Sequence, residues 1–217
     1  MSAVRVFLVA VLSVFLFVGR SWASPENPTT AELIEGVKSA YAGVTSVRAD
    51  FTQVVHNAAT GVDDRKKGKI SLERPRKLRV DVGSPLESQV ISDGTTLWVY
   101  SVPNKSVLQT TEVGQGNEMG QLLDNLAHLD EVFVVTVVED KPPKPTHTVR
   151  LVPRKSGNVK SLELTLTRQK FVLQSLVLVD SLDNVTTMSF QNLKFNVDVP
   201  DSEFAFTVPS GVQVIKN

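Results

Sequence analysis

The residue types that do chemistry are present in this chain but not at working spacings. Its three histidines, His56, His128 and His147, lie in three separate segments, with no HxxxH or HExxH pair to hold a metal. Gly114-Gln115-Gly116 resembles the start of a phosphate loop, but the next glycine, Gly120, falls one residue too far for GxGxxG, and no Lys-Ser/Thr pair follows. There is no GxSxG elbow, and Asp180-Ser181-Leu182-Asp183 lacks the spacing of a calcium loop. The chain has no cysteine, which excludes disulfides and thiolate metal sites. No local motif of nucleophile, acid–base pair, metal or cofactor is left, so the sequence predicts a binding protein, not an enzyme.

Charge narrows the ligand class. Without residues 1–23, which carry Arg5 and Arg20 and no acid, 21 basic and 23 acidic residues remain, a net charge of −2. A nucleic-acid binder usually carries a strong basic excess, so none is expected here. A local exception runs from Arg65-Lys66-Lys67 and Lys69 to Arg74, Arg76, Lys77 and Arg79. It reads as solvated strand faces and an edge protected by charge, or as a basic rim for an acidic partner.

The elements are read from periodicity. Arg5 precedes an apolar run of 13 residues, Val6 to Val18, followed by Ser21-Trp22-Ala23. That run is too short for a bilayer span and predicts a cleaved secretory signal over 1–23, with one exported domain over 24–217. The length and the 41% hydrophobic content suit a single large core. Thr29 with Glu32 is a capping box; Leu33, Ile34, Val37, Tyr41 and Val44 then recur at helical spacing, and Gly43 is expected to close the helix in a left-handed conformation. Val47, Ala49, Phe51, Gln53 and Val55 share one face of a strand, with Gln53 the polar intruder, read as a core amide.

From Gly68 to Tyr100 the alternation of Ile70 and Leu72, then Leu78, Val80 and Val82, predicts antiparallel strands around Arg74-Pro75. Asp93-Gly94 predicts a type I′ hairpin leading into a strand over 95–100. A second helix is expected over 117–129, capped near Asn117 and striped by Met119, Leu122, Leu123, Leu126 and Leu129. Lys141-Pro142-Pro143-Lys144-Pro145 predicts an exposed loop. Phe133–Val138 and the segment around Leu176–Val179 read as strands apolar on both faces, and further strands follow at hairpin spacing to Phe195. The sum is ten or eleven strands and two or three helices: a mainly β fold, a strongly curved antiparallel sheet forming an incomplete, half-open barrel, with helices 31–42 and 117–129 as a lid. Too few helices are available to cover the concave face, which leaves an apolar cavity suited to long hydrocarbon chains.

The ordered set Phe51-Thr52-Gln53, Arg74-Pro75, Ser92-Asp93-Gly94, Leu97-Trp98 and Tyr100, with Phe204, Phe206, Pro209 and Gly211-Val212 resembling a last strand, resembles the periplasmic outer-membrane lipoprotein carrier family, LolA. The resemblance implies a soluble monomer of the periplasm that needs no cofactor. It would take acylated lipoproteins from an inner-membrane lipoprotein-releasing ABC transporter and deliver them to an outer-membrane acceptor. It also implies that Arg74 latches a closed lid by hydrogen bonds to helix backbone carbonyls, a use suited to the five fixed donors of a guanidinium. Lid residues are then Leu33, Val37, Tyr41, Met119, Leu122 and Leu126, and acyl-chain lining is expected from Phe51, Val55, Leu78, Val80 and Trp98. Whether Leu97/Val99 or Trp98/Tyr100 faces inward is open at this level. Leu78 and Val80 depart from the family, which often carries aromatics there, and so change the shape of the pocket. Two other readings fit the same residues: a lipoprotein- or lipid-sensing module of envelope stress, and an enzyme acting on envelope lipids.

Overall fold

The chain's alternating patterns assemble into one sheet, seen in a computed structural model that describes residues 28–111, 121–138 and 145–216. The expected signal segment, the Gly114-Gln115-Gly116 linker, the Asn117 cap, Met119 and the loop from Lys141 lie outside the described residues. Helix α1 (Thr30–Ala42) begins where the sequence placed it: Thr29 Oγ1 accepts from the Glu32 N–H at 3.2 Å, and the Glu32 carboxylate accepts from the Thr29 N–H at 2.8 Å. Its end differs. Gly43 has φ −93°, not a left-handed value, because Val44 N–H already bonds the Tyr41 carbonyl at 3.2 Å as the chain turns straight into the sheet.

Strands β1 (Ser46–His56), β2 (Asp63–Glu73), β3 (Lys77–Val82), β4 (Ser88–Asp93), β5 (Leu97–Ser101) and β6 (Ser106–Thr110) form a meander. Helices α2 (Leu122–Ala127) and α3 (Leu129–Val132) follow, then β7 (Phe133–Val138), β8 (Thr146–Pro153), β9 (Val159–Thr167), β10 (Leu173–Asp180) and β11 (Val185–Phe195). A short 3-10 helix, Asp201–Phe204, precedes β12 (Gln213–Lys216). The twelve strands of the described residues, against ten or eleven expected for the chain, lie in the order β12-β6-β5-β4-β3-β2-β1-β11-β10-β9-β8-β7. Among the described residues, only the β12–β6 pair is parallel. The first and last strands in that order do not pair, so the sheet is curved and unclosed: a half-barrel.

Several expectations are corrected by this topology. The basic run along β2 cannot protect an edge, since β2 lies between β1 and β3. Of the Asp93-Gly94 pair, only Gly94 takes positive φ, at 98°; the Asp93 carboxylate accepts the Thr95 and Thr96 N–H groups at 2.8 Å each, so Asp93 stays in β4 and β5 starts at Leu97. The second helix breaks at His128 (φ −125°, ψ 38°) into two short pieces. β7 is buried on one face only, because it is the last strand of the sheet and Val134 and Val138 point to solvent. In β10, Val177 and Val179 are half-buried, since their face of the sheet is the outer one. Phe204 and Phe206 belong to no strand: Phe204 sits in the 3-10 helix, and the last strand begins only at Gln213.

That C-terminal segment is a strap over the outer face. Phe204 is fully buried, and its turn packs on β3 and β4. Lys77 Nζ pairs with Asp201 at 2.6 Å, and Glu203 joins Arg48 to the Ser71 hydroxyl. The main core lies on the other face, between the concave side of the sheet and the helices. There Phe51 is 2% exposed, with its ring over Gly68; a Cβ on that glycine would collide with Phe51 Cζ and with the Asp81 carbonyl oxygen.

Candidate apolar binding cavity

Register decides which side chains face inward. Leu72 pairs with Leu78, Val80 with Val90, and Val90 with Val99, so these residues share the concave face. Trp98 pairs with Ile91 and therefore points outward with Tyr100. Both rings meet Phe206 there, at centroid distances of 6.0 and 5.8 Å. The structure thus turns Leu97 and Val99 to the concave face, Leu97 buried and Val99 exposed, and places Trp98 on the opposite side of the sheet from any concave ligand.

Between the concave face and the helices lies a cavity of about 620 Å³. Its wall is built by Leu78, Val80 and Val82 of β3, Val90 of β4, Met188 of β11, Leu176 and Leu178 of β10 and Leu162 of β9. Leu122 and Asn125 of α2, with Val132 and Phe133, cover it. Of the sequence-predicted lining residues, Leu78 and Val80 stand on this wall. Phe51 and Val55 share its face of β1 but lie off the wall, Phe51 being enclosed in the core. Gln53, two residues from each, is on the wall instead.

A second concavity of about 640 Å³ lies on the convex face, lined by Arg48, Asp50, Lys69, Arg79, Asp81, Lys194 and Glu203. Its charges answer one another: Arg48 pairs with Glu203, Arg79 Nε with Asp81 at 3.0 Å, and Gln89 Nε2 donates to Asp81 at 2.8 Å. Such a surface suits water and ions, so the concave cavity is the place for an apolar ligand.

The two parts of the lid are held differently. Helix α1 buries Leu33, Val37 and Tyr41. The Tyr41 hydroxyl accepts the Leu173 N–H at 3.0 Å, and burial raises the pKa of that phenol. Phe171, stacked on buried His147 at 5.9 Å, fills the space beside Gly36, where a Cβ would collide with the ring. The α1 helix is thus pinned to the β9–β10 turn. Helix α2 has only six residues and buries Leu122, Leu123 and Leu126. A small apolar void of about 30 Å³ lies beneath it, and Leu122 borders both this void and the main cavity.

Arg74, at the β2–β3 turn, reaches both helices. Its Nη1 donates to the Ala42 carbonyl at 3.2 Å, the last residue of α1, and its Nη2 donates to the Leu123 carbonyl of α2 at 2.5 Å. Nε stands 2.8 Å from Asp124 Oδ1, an ion pair by distance although its N–H is not aligned as a hydrogen bond. One guanidinium therefore ties two helices to a strand turn. Lys38 of α1 adds a second tie, 3.1 Å from Asp130 of α3. The close approach of the two charges lowers the pKa of the Asp130 carboxyl and raises that of the Lys38 ammonium.

Among the described residues, no group of three or more His, Asp or Glu side chains is arranged to hold a metal, and no helix is long and apolar enough to cross a membrane. An open half-barrel whose concave face is roofed by short helices over a hydrocarbon-lined cavity defines a class: scaffolds for apolar chains. Comparison with known proteins makes the class specific. The profile of the family described as "Outer membrane lipoprotein carrier protein LolA" matches residues 42–207. The chain is 25% identical to an outer-membrane lipoprotein carrier protein of Coxiella burnetii over the whole of both chains. It is also 25% identical to one of Francisella tularensis subsp. novicida, over 86% of this chain and 87% of that one. An uncharacterized conserved protein of Thermus thermophilus, 12% identical, shares the fold with a TM-score of 0.53 over 87% of this chain and all of that one. The chain belongs to the LolA family.

Proposed function

We propose that this protein is a periplasmic carrier that encloses acyl chains of lipoproteins, taking them from an inner-membrane ABC transporter and handing them to an outer-membrane acceptor. Under this reading residues 1–23 are a cleaved export signal and 24–217 the working domain. The observation that carries the proposal is the cavity of about 620 Å³ under a roof tied by Arg74. A packed methylene takes up about as much room as a water molecule, ~30 Å³, so the closed cavity holds ~20 methylenes, or one long acyl chain. At ~0.8 kcal/mol per buried methylene, such a chain contributes on the order of 10 kcal/mol gross, before the costs of association.

A lipid with two or three chains needs more room than the closed form offers. The extra space is available where α2 lifts, joining the void beneath Leu122 to the main cavity. Arg74 then acts as a latch: its bonds to the Ala42 and Leu123 carbonyls hold the roof down when the cavity is empty and are lost as chains displace α2. Because those bonds oppose loading, they also favour release, which suits a carrier that works without an energy source.

The test combines native mass spectrometry of protein purified from periplasm with lipoprotein release from spheroplasts. A one-to-one complex with an acylated lipoprotein, and release that depends on added protein, supports the carrier. Free lipid in the cavity with no lipoprotein release points instead to a lipid-sensing module. An empty protein that releases nothing contradicts both.

A further inference from the structure

The carrier reading leaves one cavity residue without a use. Gln53 stands in the interior of β1, the strand through which the two halves of the half-barrel meet, paired with Met188 on one side and Lys66 on the other. It lines the cavity with the apolar Met188 of β11 on one flank and the half-buried Lys66 of β2 on the other. Among the described residues, the other polar side chains around that space come from element ends, α2 or loops: Ser88 opens β4, Gln121 precedes α2, Asn125 is on α2, and Lys155 and Asn158 are exposed in the β8–β9 turn. Among the described residues the Gln53 amide makes no side-chain hydrogen bond, and its neighbour Lys66 is engaged with Glu87 at 2.7 Å and Asp64 at 3.1 Å.

An amide facing water in the empty cavity is satisfied. The same amide against hydrocarbon alone is not, and leaving it unpaired opposes loading. A cargo that fits this wall therefore brings a hydrogen-bonding atom in among its chains. Acyl lipids have one such atom there: the carbonyl oxygen at the ester or amide where each chain joins its glyceryl or cysteine carrier. A Gln side chain has two N–H donors to offer it. Building on the carrier reading, we infer that Gln53 is a specificity residue that donates a hydrogen bond to an acyl carbonyl of the bound lipid, setting the depth to which the chains enter.

The test uses three probes: a peptide whose cysteine carries a dipalmitoylglyceryl thioether, its analogue with hexadecyl ethers in place of the esters, and dipalmitoyl phosphatidylglycerol. The wild-type protein should bind the diester peptide roughly 3- to 10-fold more tightly than the diether, the worth of one hydrogen bond. Gln53→Leu and Gln53→Met, which should keep the fold and the unfolding midpoint, should bind the two peptides equally. Competition by dipalmitoyl phosphatidylglycerol that weakens in Gln53→Leu assigns the contact to glycerolipids at large, and its failure to compete assigns it to the lipidated cysteine; both outcomes support the ester contact. Equal wild-type affinity for diester and diether overturns the inference while leaving the carrier reading intact. Binding of neither peptide by the wild type overturns the carrier reading and this inference with it.

Discussion

At the residue scale, Arg74 and Phe51 separate holding the lid from holding the fold. Arg74 donates to carbonyls of α1 and α2, so Arg74→Leu removes two hydrogen bonds from a charged donor while leaving the sheet intact. Bonds of this type contribute about 1.5–3 kcal/mol each. The variant is expected to fold, to load more readily and to hand cargo on poorly; spheroplast release against acceptor transfer measures both steps, and unchanged transfer would make Arg74 a structural residue only. Phe51 is enclosed in the core beside Gly68 and off the cavity wall. Phe51→Ala should therefore cost about 3–5 kcal/mol of stability, read from denaturant unfolding. Val90, half-buried on the wall, gives the cleaner functional test: Val90→Glu should leave the unfolding midpoint close to wild type and abolish loading, because a carboxylate there faces hydrocarbon. Normal loading by a folded Val90→Glu protein would move the ligand elsewhere.

At the scale of elements, the roof divides into two parts held differently, and the proposed function makes the second one the part that moves. α1 is pinned through Tyr41, Gly36 and Phe171, whereas α2 and α3 are short and held by Arg74 and Asp130. Hydrogen exchange should show α1 protected longer than α2–α3, and Tyr41→Phe should narrow that difference by about 1 kcal/mol of opening free energy, the worth of one hydrogen bond. The Lys38–Asp130 pair makes the α3 contact acid-sensitive. Asp130 has a folded pKa below its unfolded one, so its contribution is fully present above the ordinary carboxylate value of ~3.9 and is lost as pH falls through the lowered value. Protection of the α3 amides, taken relative to their intrinsic exchange rates at each pH, should fall below about pH 4, and Asp130→Asn should remove that pH dependence.

Much of this architecture was legible in the sequence because short-range rules fixed it. The Thr29–Glu32 capping box, the alternation through Ile70, Leu72, Leu78 and Val80, and Arg74-Pro75 at a turn are all local signals. Misplaced features depended on distant partners. Leu97/Val99 and Trp98/Tyr100 are equally apolar, and the choice is made by Phe206, more than a hundred residues on. Asp93 looked like a turn residue until its own carboxylate capped the loop and kept it in β4. Gln53 read as a core amide because β1 alternates without a break; only the curvature of the whole sheet shows that the floor of the cavity, not the core, passes through it.

At the scale of the molecule, the function rests on a sheet with two different faces. The convex face is strapped by Phe204 and Phe206 and covered in self-paired charge, whereas the concave face is apolar and roofed by helices. The central claim is that cargo acyl chains lie on the concave wall beneath α2. The most direct measurement is photocrosslinking of a lipopeptide carrying a diazirine on one acyl chain, with adducts mapped by mass spectrometry. Adducts on Val80, Val90, Leu122 and Leu176 are the predicted result. Adducts on the convex face, around Trp98 and Tyr100, or labelling spread evenly over the surface, would contradict the account.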